Sequence, residues 1–154
     1  HEITHAFDNN GAKFDENGNA ADWWTPEDYN TFNDLCADMI AFYDGYEGIP
    51  GIPMNGTLTL SENIADQGAV QCITEIESRR ESPDFKTLYT SFAKCMAATT
   101  TRAYAQYAAT FDYHSDAKLR VNKCVVNCPE FYEAFGITEN DGMWVAPENR
   151  VRVW

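Results

Sequence analysis

The chain has 154 residues, of which 44% are hydrophobic and 14% aromatic, enough for one domain with a buried core. Its net charge of −13, without a cluster of lysine and arginine, argues against nucleic-acid binding, because phosphate contacts need basic side chains. No run of about 18 apolar residues occurs, so the sequence encodes no membrane-spanning helix.

The chain begins with an HExxH motif at residues 1–5, which predicts a helix that runs to about residue 8. On a helix, His1 and His5 lie one turn of about 3.6 residues apart on one face, where both can bind one zinc ion. Glu2 can then take a proton from a water molecule at the metal, which is the chemistry of a zinc peptidase. Because the motif fixes few positions, the alternative is a solvated helix start that carries two histidines.

The next elements follow from turn residues, capping signals and the spacing of apolar residues. Residues 8–21 are rich in Asn, Gly and Asp and are predicted to form a loop. Thr25 and Pro26 favour the start of a helix, in which apolar residues recur at helical spacing as far as Tyr43. Residues 45–56 are rich in glycine and proline and predict a second loop.

The second half of the chain is also predicted to be helical. One helix is expected at about residues 60–78, and another is expected to begin at residues 82–84 and run to about residue 109. Pro129 opens a short helix that ends at Gly136, and the terminal segment alternates valine with other residues. These patterns predict one mostly helical lobe.

A third zinc ligand is needed, because a catalytic zinc takes about three protein ligands plus water. Glu62 and Asp66 stand four residues apart in a predicted helix and therefore share one face. Glu62 can bind zinc, and Asp66 can accept a hydrogen bond from a ligand histidine. The alternative is a capping box with Thr59, in which Glu62 only folds back on the helix start. Taken alone the segment favours the cap, but together with His1 and His5 it favours the metal.

Four separated blocks, HEITHAFD, DWWT, SENIAD and the terminal RVRVW, occur in an order that resembles the C-terminal catalytic part of a neprilysin-like (M13 family) zinc metallopeptidase. The likeness also includes residues 114–122 and 129–135, so it extends over essentially the whole chain. It implies a mainly α, thermolysin-like zincin catalytic lobe of the gluzincin type, with few short strands. It further implies that residues 1–154 are the C-terminal zinc-binding region of a larger metallopeptidase, whose N-terminal part is absent here and is an expected partner.

The resemblance implies a zinc-dependent endopeptidase that hydrolyses peptide bonds of oligopeptides, with one Zn²⁺ per chain. In that reading His1, His5 and Glu62 hold the zinc, and Glu2 is the general base and later the proton donor. Asp66 then orients a ligand histidine, which we expect to be His1.

Further residues match positions of known role in the family. His114 resembles a histidine that stabilises the oxyanion, and Arg120 resembles an arginine that binds a backbone carbonyl of the substrate. The alternatives are an exposed or structural histidine and a surface ion pair. Cys95 and Met96 stand where family members line the pocket for the residue after the cut bond, which implies an apolar pocket there. The alternative is that both residues belong to the core.

One family feature is missing, because the chain contains no Asn-Ala-x-Tyr segment of the kind that binds the peptide backbone in family members. The competing hypothesis is therefore a non-catalytic zinc-binding fragment that needs its N-terminal part for activity.

The five cysteines, an odd number, do not form a complete disulfide framework. Val151 stands where secreted animal members of the family place a cysteine, which favours reduced, mostly buried thiols and a prokaryotic enzyme, either cytoplasmic or exported. Cys124 and Cys128 are four residues apart, but no second Cys or His pair lies near them in the sequence. We therefore prefer loop thiols to a metal or redox site at these two positions.

Overall fold

The structure is a computed structural model that describes all residues from His1 to Trp154. It contains six α-helices and three short 3-10 helices, and none of the helices is long and apolar enough to cross a membrane. The α-helices are α1 (Pro26–Tyr43), α2 (Leu60–Ser78), α3 (Phe85–Met96), α4 (Arg102–Ala108), α5 (Ala117–Val125) and α6 (Pro129–Phe135). The 3-10 helices are Thr4–Phe7, Gly11–Lys13 and Pro147–Asn149.

The mainly α architecture predicted from the sequence is confirmed, and β-structure is limited to two isolated bridges, Phe14–Ala20 and Ile49–Ile52. Helix α1 begins as predicted, since the Thr25 side chain accepts a hydrogen bond from the Asp28 backbone N–H and Pro26 occupies the first turn. Its buried side chains recur at intervals of three and four residues, which is the spacing of one helical face. They are Phe32, Cys36, Met39 and Tyr43.

Helix α2 has the predicted bounds and lies at the centre of the molecule, in contact with α1, α3, α5 and the first 3-10 helix. Most of its first half is buried, including the polar side chains of Asn63, Asp66 and Gln67. Buried polar side chains need hydrogen-bond partners, and buried ionisable groups cluster at functional sites. This stretch of helix is therefore a candidate for a functional site.

Two apolar clusters meet at α2. Leu60 and Ile64 belong to a cluster with α1, whereas Val70 belongs to a second cluster with α3, α5 and α6. The terminal segment closes the first cluster with Val153. Its backbone is held by Asn127, whose side-chain oxygen accepts a hydrogen bond of 2.8 Å from the Val151 N–H. Gln67 also donates a hydrogen bond to the carbonyl of Val151.

The helix predicted to run to about residue 8 is wrong in form, because the opening segment is one 3-10 turn from Thr4 to Phe7. Asp8 ends this turn with an extended backbone, and its Oδ1 accepts hydrogen bonds from the Asn10 and Gly11 N–H groups. An aspartate that caps the following turn in this way competes with continued helix.

The single helix expected from residue 82 to about residue 109 is also wrong. The structure has two helices there, α3 and α4, separated by residues 97–101. Residues 99–101 are consecutive β-branched threonines, which favour helix less than straight-chain residues do. The last of them, Thr101, instead caps α4 by accepting a hydrogen bond from the Tyr104 N–H.

Helix α5 has no counterpart in the sequence prediction. Asp116 caps it, because its Oδ1 accepts hydrogen bonds from the backbone N–H groups of Lys118 and Leu119. This cap fixes the start of the helix that carries Arg120.

Candidate metal centre

The first 3-10 helix packs on the beginning of α2 and brings His1, His5 and Glu62 together. His1 Nε2 lies 3.1 Å from Glu62 Oε2, and His5 Nε2 lies 3.6 Å from Glu62 Oε1. The two imidazole Nε2 atoms are 3.2 Å apart. One ligand atom from each of the three residues therefore lies within 4.8 Å of the others, close enough for one ion to bind all three.

Two buried carboxylates bind the Nδ1 atoms of the histidine rings, on the side away from Glu62. Asp66 Oδ1 lies 2.8 Å from His1 Nδ1, and Asp8 Oδ2 lies 2.7 Å from His5 Nδ1. Because an ionised carboxylate can only accept a hydrogen bond, each Nδ1 carries the proton. Each Nε2 is then left with a lone pair directed toward Glu62.

These donors suit a zinc ion. Glu62 Oε2 is buried without a hydrogen-bond partner, and His1 Nε2 presents a lone pair to it over 3.1 Å. Lone pairs and a carboxylate that face one another repel unless a cation lies between them. Two imidazoles and one carboxylate are the ligand types of the His₂Glu set found in catalytic zinc sites.

The capping-box alternative for Glu62 is wrong, because the Thr59 side chain accepts no hydrogen bond from a backbone N–H at the start of α2. Its hydroxyl instead donates to the Asn55 carbonyl and accepts a hydrogen bond of 2.9 Å from the Asn63 side-chain amide. Glu62 is thus free to direct its carboxylate toward the histidines.

Asp66 also binds Arg120 through two hydrogen bonds. Arg120 Nε donates to Oδ2 over 2.7 Å and Nη2 donates to Oδ1 over 2.8 Å. The hydrogen bonds to Asp66 outweigh burial and raise the pKa of Arg120. The carboxylate of Asp66 therefore has an arginine on one side and a histidine on the other, and the remaining Arg120 donors are available to another ligand.

His114 lies at the edge of the same group, with Nε2 at 3.1 Å from Glu62 Oε2. Its Nδ1 and its backbone N–H both lie 2.9 Å from Asp112 Oδ1. Burial raises the pKa of Asp112, but these two hydrogen bonds and the charges of His114 and Arg120 lower it more, so the net shift is downward. The carboxylate thus fixes the direction of the ring.

The loop with His114 is anchored to α2. Ser115 is buried and donates a hydrogen bond of 2.8 Å to the side-chain oxygen of Asn63, the residue next to Glu62. A cavity of about 260 Å³ adjoins this loop and has mostly apolar walls, formed by residues 48–54 and by α4.

The other residues singled out from the sequence lie in varied surroundings. Glu2 is exposed and makes no side-chain hydrogen bond within the chain. Cys95 is exposed and Met96 is half-buried, and neither borders the cavity beside His114. Their predicted contact with substrate stays a prediction.

Sequence reasoning missed Asp8, Asp112 and Asn63 as parts of this centre. Asp8 follows His5 by three residues, a spacing that brings side chains together on a helical turn, so it carried a usable signal. Asp112 precedes His114 by two residues, where an aspartate often bonds to nearby backbone N–H groups. Asn63 gave no signal, because its partner Ser115 is 52 residues away in the sequence.

All five cysteines are free, in agreement with the expectation of reduced thiols. Three are buried, namely Cys36, Cys124 and Cys128, whereas Cys72 and Cys95 are exposed. The expectation of loop thiols is wrong for Cys124, which lies within α5, and is confirmed for Cys128, which lies in the connection between α5 and α6. Burial is the main reason that the pKa of Cys124 is raised, which keeps its thiol protonated.

Comparisons with known proteins agree with one another. Residues 1–151 match the family model of Peptidase family M13. The neutral endopeptidase of Lactococcus lactis subsp. cremoris is 43% identical over 154 residues, which is 100% of this chain and 24% of that relative. Neprilysin of Mus musculus is 32% identical over 169 aligned positions, which cover 100% of this chain and 22% of that relative. The chain thus spans about a quarter of the length of these relatives.

Solved structures give the same result. PepO from Lactobacillus rhamnosis HN001 has a TM-score of 0.89 at 39% identity, over 97% of this chain and 24% of that one. The zinc metalloprotease Zmp1 of Mycobacterium tuberculosis, solved in complex with an inhibitor, has a TM-score of 0.88 at 31% identity. That match covers 98% of this chain and 25% of the other.

Proposed function

This chain belongs to peptidase family M13, and we propose that it is the zinc-binding catalytic region of an endopeptidase that hydrolyses peptide bonds in oligopeptides. The observation that supports the proposal most directly is the convergence of His1, His5 and Glu62, with a Glu62 oxygen buried and lacking a donor. A structural zinc site is usually closed by four protein ligands, whereas a set of three leaves room for water or substrate.

We assign the ligands to His1, His5 and Glu62, and one zinc ion per chain to this site. When bound there, zinc supplies a Lewis acid that polarises a carbonyl and makes water more acidic. The positions of the ligand rings are supported by the hydrogen bonds from their Nδ1 atoms to Asp66 and Asp8.

In the proposed reaction Glu2 accepts a proton from the attacking water at a carboxylate oxygen and passes it to the leaving amine. Its side chain suits this role because no hydrogen bond within the chain occupies it. His114 Nε2–H donates to the carbonyl oxygen as negative charge develops there. The direction of the ring is supported by the contact of 2.9 Å between His114 Nδ1 and Asp112 Oδ1.

Arg120 is proposed to bind a backbone carbonyl of the substrate through the donors that Asp66 does not use. Cys95 and Met96 are proposed to contact the side chain that follows the cut bond. A peptide library tests the second assignment, because an apolar contact surface should favour apolar residues at that position. A library without such a preference, or Met96→Ala and Cys95→Ala variants with unchanged preference, would argue against it.

Native mass spectrometry followed by a peptide-cleavage assay tests the function as a whole. We expect one zinc ion on a chain of 17.4 kDa, and loss of that zinc in His5→Ala. Zinc with cleavage of oligopeptides supports the proposal, and a chain that binds no zinc contradicts it. Zinc without cleavage supports the alternative of a zinc-binding fragment that needs a further part of the protein for activity.

A further inference from the structure

The segment that carries both zinc-ligand histidines has little helical structure of its own. It is one 3-10 turn, and its backbone hydrogen bonds are 3.3 Å from His5 N to His1 O and 3.2 Å from Ala6 N to Ile3 O. These lengths are at or beyond the long end of the usual range for N–H···O bonds. The position of the two histidines relative to Glu62 therefore depends on how the turn packs against its neighbours.

From this packing we propose that Gly68 is a positioning residue for the zinc site, an inference that rests on the proposed function. Gly68 lies in α2 and faces Thr4, which stands between the two histidines in sequence. A Cβ at position 68 would lie 2.8 Å from Thr4 Cγ2 and 2.9 Å from Thr4 Oγ1. Carbon atoms do not pack this closely, so the bare glycine sets how near the turn lies to α2.

Rotation of the Thr4 side chain cannot relieve this contact. The two γ atoms of threonine occupy two of the three staggered positions about the Cα–Cβ bond. Any rotation to another staggered position leaves at least one of the two crowded positions filled. A methyl group at position 68 must therefore move the Thr4 backbone or α2 itself, and either shift changes the position of the histidines relative to Glu62.

A second glycine also lies close to the turn. A Cβ at Gly11 would lie 1.9 Å from the backbone oxygen of His5, and 2.8 Å from the backbone carbon of Ala6. The Gly11 N–H donates to Asp8 Oδ1, so the close approach includes the residue that orients His5. The turn thus lies close to two glycines, and of these two contacts only the one with Gly68 is made by a side chain of the turn.

This difference permits a test by rescue. We would measure zinc affinity, by competition with a chromophoric chelator, for Gly68→Ala, Thr4→Ala and the double variant. Gly68→Ala should weaken binding by about 10-fold or more, as changes next to metal ligands do. Thr4→Ala removes both crowded atoms, so the double variant should regain near wild-type affinity. Gly142→Ala is the matched control, because a Cβ there meets nothing within 4 Å.

Thermal unfolding of the metal-free variants separates positioning from loss of fold. Alanine favours a helix interior over glycine, so the double variant should be at least as stable as Thr4→Ala. Gly11→Ala should also weaken zinc binding, but Thr4→Ala should not rescue it. Wild-type affinity in Gly68→Ala, or weak binding in a folded double variant, would overturn the proposal. Both readouts are independent of peptide cleavage, so failure here is distinct from failure of the proposed reaction.

Discussion

Asn63 accepts a hydrogen bond of 2.8 Å from Ser115, and this buried contact joins the His114 loop to α2 one residue from Glu62. The same asparagine donates to Thr59, so both polar ends of its side chain are used. The position of His114 relative to the proposed zinc ligands thus depends on a polar contact that does not involve those ligands.

Ser115→Ala should lower kcat with little change in zinc affinity, because the His114 loop loses its attachment while the ligands keep theirs. The free energy of unfolding should fall by about 1–3 kcal/mol, the cost of leaving the buried Asn63 oxygen without a donor. Peptide-cleavage kinetics and urea unfolding measure the two effects. Ser91→Ala, at an exposed position in α3, is the control and should change neither. An unchanged kcat in Ser115→Ala would contradict this role.

Glu2→Gln should retain one zinc ion and lose turnover by about 10²–10⁴-fold, because the amide cannot accept the proton of the attacking water. Zinc content by mass spectrometry and cleavage of an oligopeptide give the two measurements. Glu139→Gln, another exposed glutamate, should cleave normally. Normal turnover in Glu2→Gln would refute the assignment of the base.

Asp66→Asn should weaken zinc binding by about 10–100-fold, since an amide has only one acceptor oxygen and cannot serve His1 Nδ1 and both Arg120 donors as the two carboxylate oxygens do. The variant should also be less stable by up to about 3 kcal/mol, because the half-buried arginine loses its anionic partner. Chelator competition and urea unfolding separate the two effects. Asp38→Asn, on the exposed face of α1, should show neither.

Lys123 predicts a pH dependence of stability. It is buried, its Nζ lies 4.1 Å from the Phe42 ring centre and 2.9 Å from that of Tyr46, and no carboxylate pairs with it. Burial lowers its pKa to about 8 in the folded chain, below the value of about 10.4 for a free lysine. The unfolded chain therefore binds more protons between these values, and the free energy of unfolding should rise with pH in that window.

Lys123→Met removes this titration. Urea unfolding of both proteins at pH 7 and pH 9.5 should show the wild type gaining stability relative to the variant at the higher pH. Below pH 8 the cost of burying the charged Lys123 is fully present in the wild type. The free energy of unfolding of Lys123→Met, relative to that of the wild type, should therefore be highest there. Parallel behaviour of the two proteins across this range would show that Lys123 does not titrate in the fold as described.

The sequence predicted the helix bounds best where they depend on neighbouring residues, such as capping residues and apolar spacing. Thr25 and Pro26 mark the start of α1, and the bounds of α2 follow from its apolar spacing. The two errors in helix extent arose where polar side chains override propensity. Asp8 ends the opening turn, and Thr101 caps a new helix within a stretch that is otherwise rich in alanine.

Most residues of the candidate site were predicted from the sequence, but most of the contacts between them were not. The HExxH motif and the pair Glu62 and Asp66 have fixed spacings, so one sequence is enough to propose them as ligands and as the orienting carboxylate. The attachment of Arg120 to Asp66 spans 54 residues, and only the tertiary packing of α2 against α5 brings these side chains together. The close approach of Thr4 to Gly68 likewise has no local pattern that announces it.

The aromatic cluster at the other end of the histidine segment has an optical consequence. Phe7, the last residue of the opening turn, lies 6.5 Å from Trp23 and 6.3 Å from Trp154 between ring centres. Trp24 lies 5.1 Å from Trp23 and 5.9 Å from Trp154, so three of the four tryptophans of the chain form one cluster, which Phe7 joins through two of them. Their fluorescence depends on the packing around them, and a displaced turn should shift its wavelength and intensity. Intrinsic tryptophan fluorescence should therefore report the position of the HExxH turn, and it can be measured without substrate, label or metal.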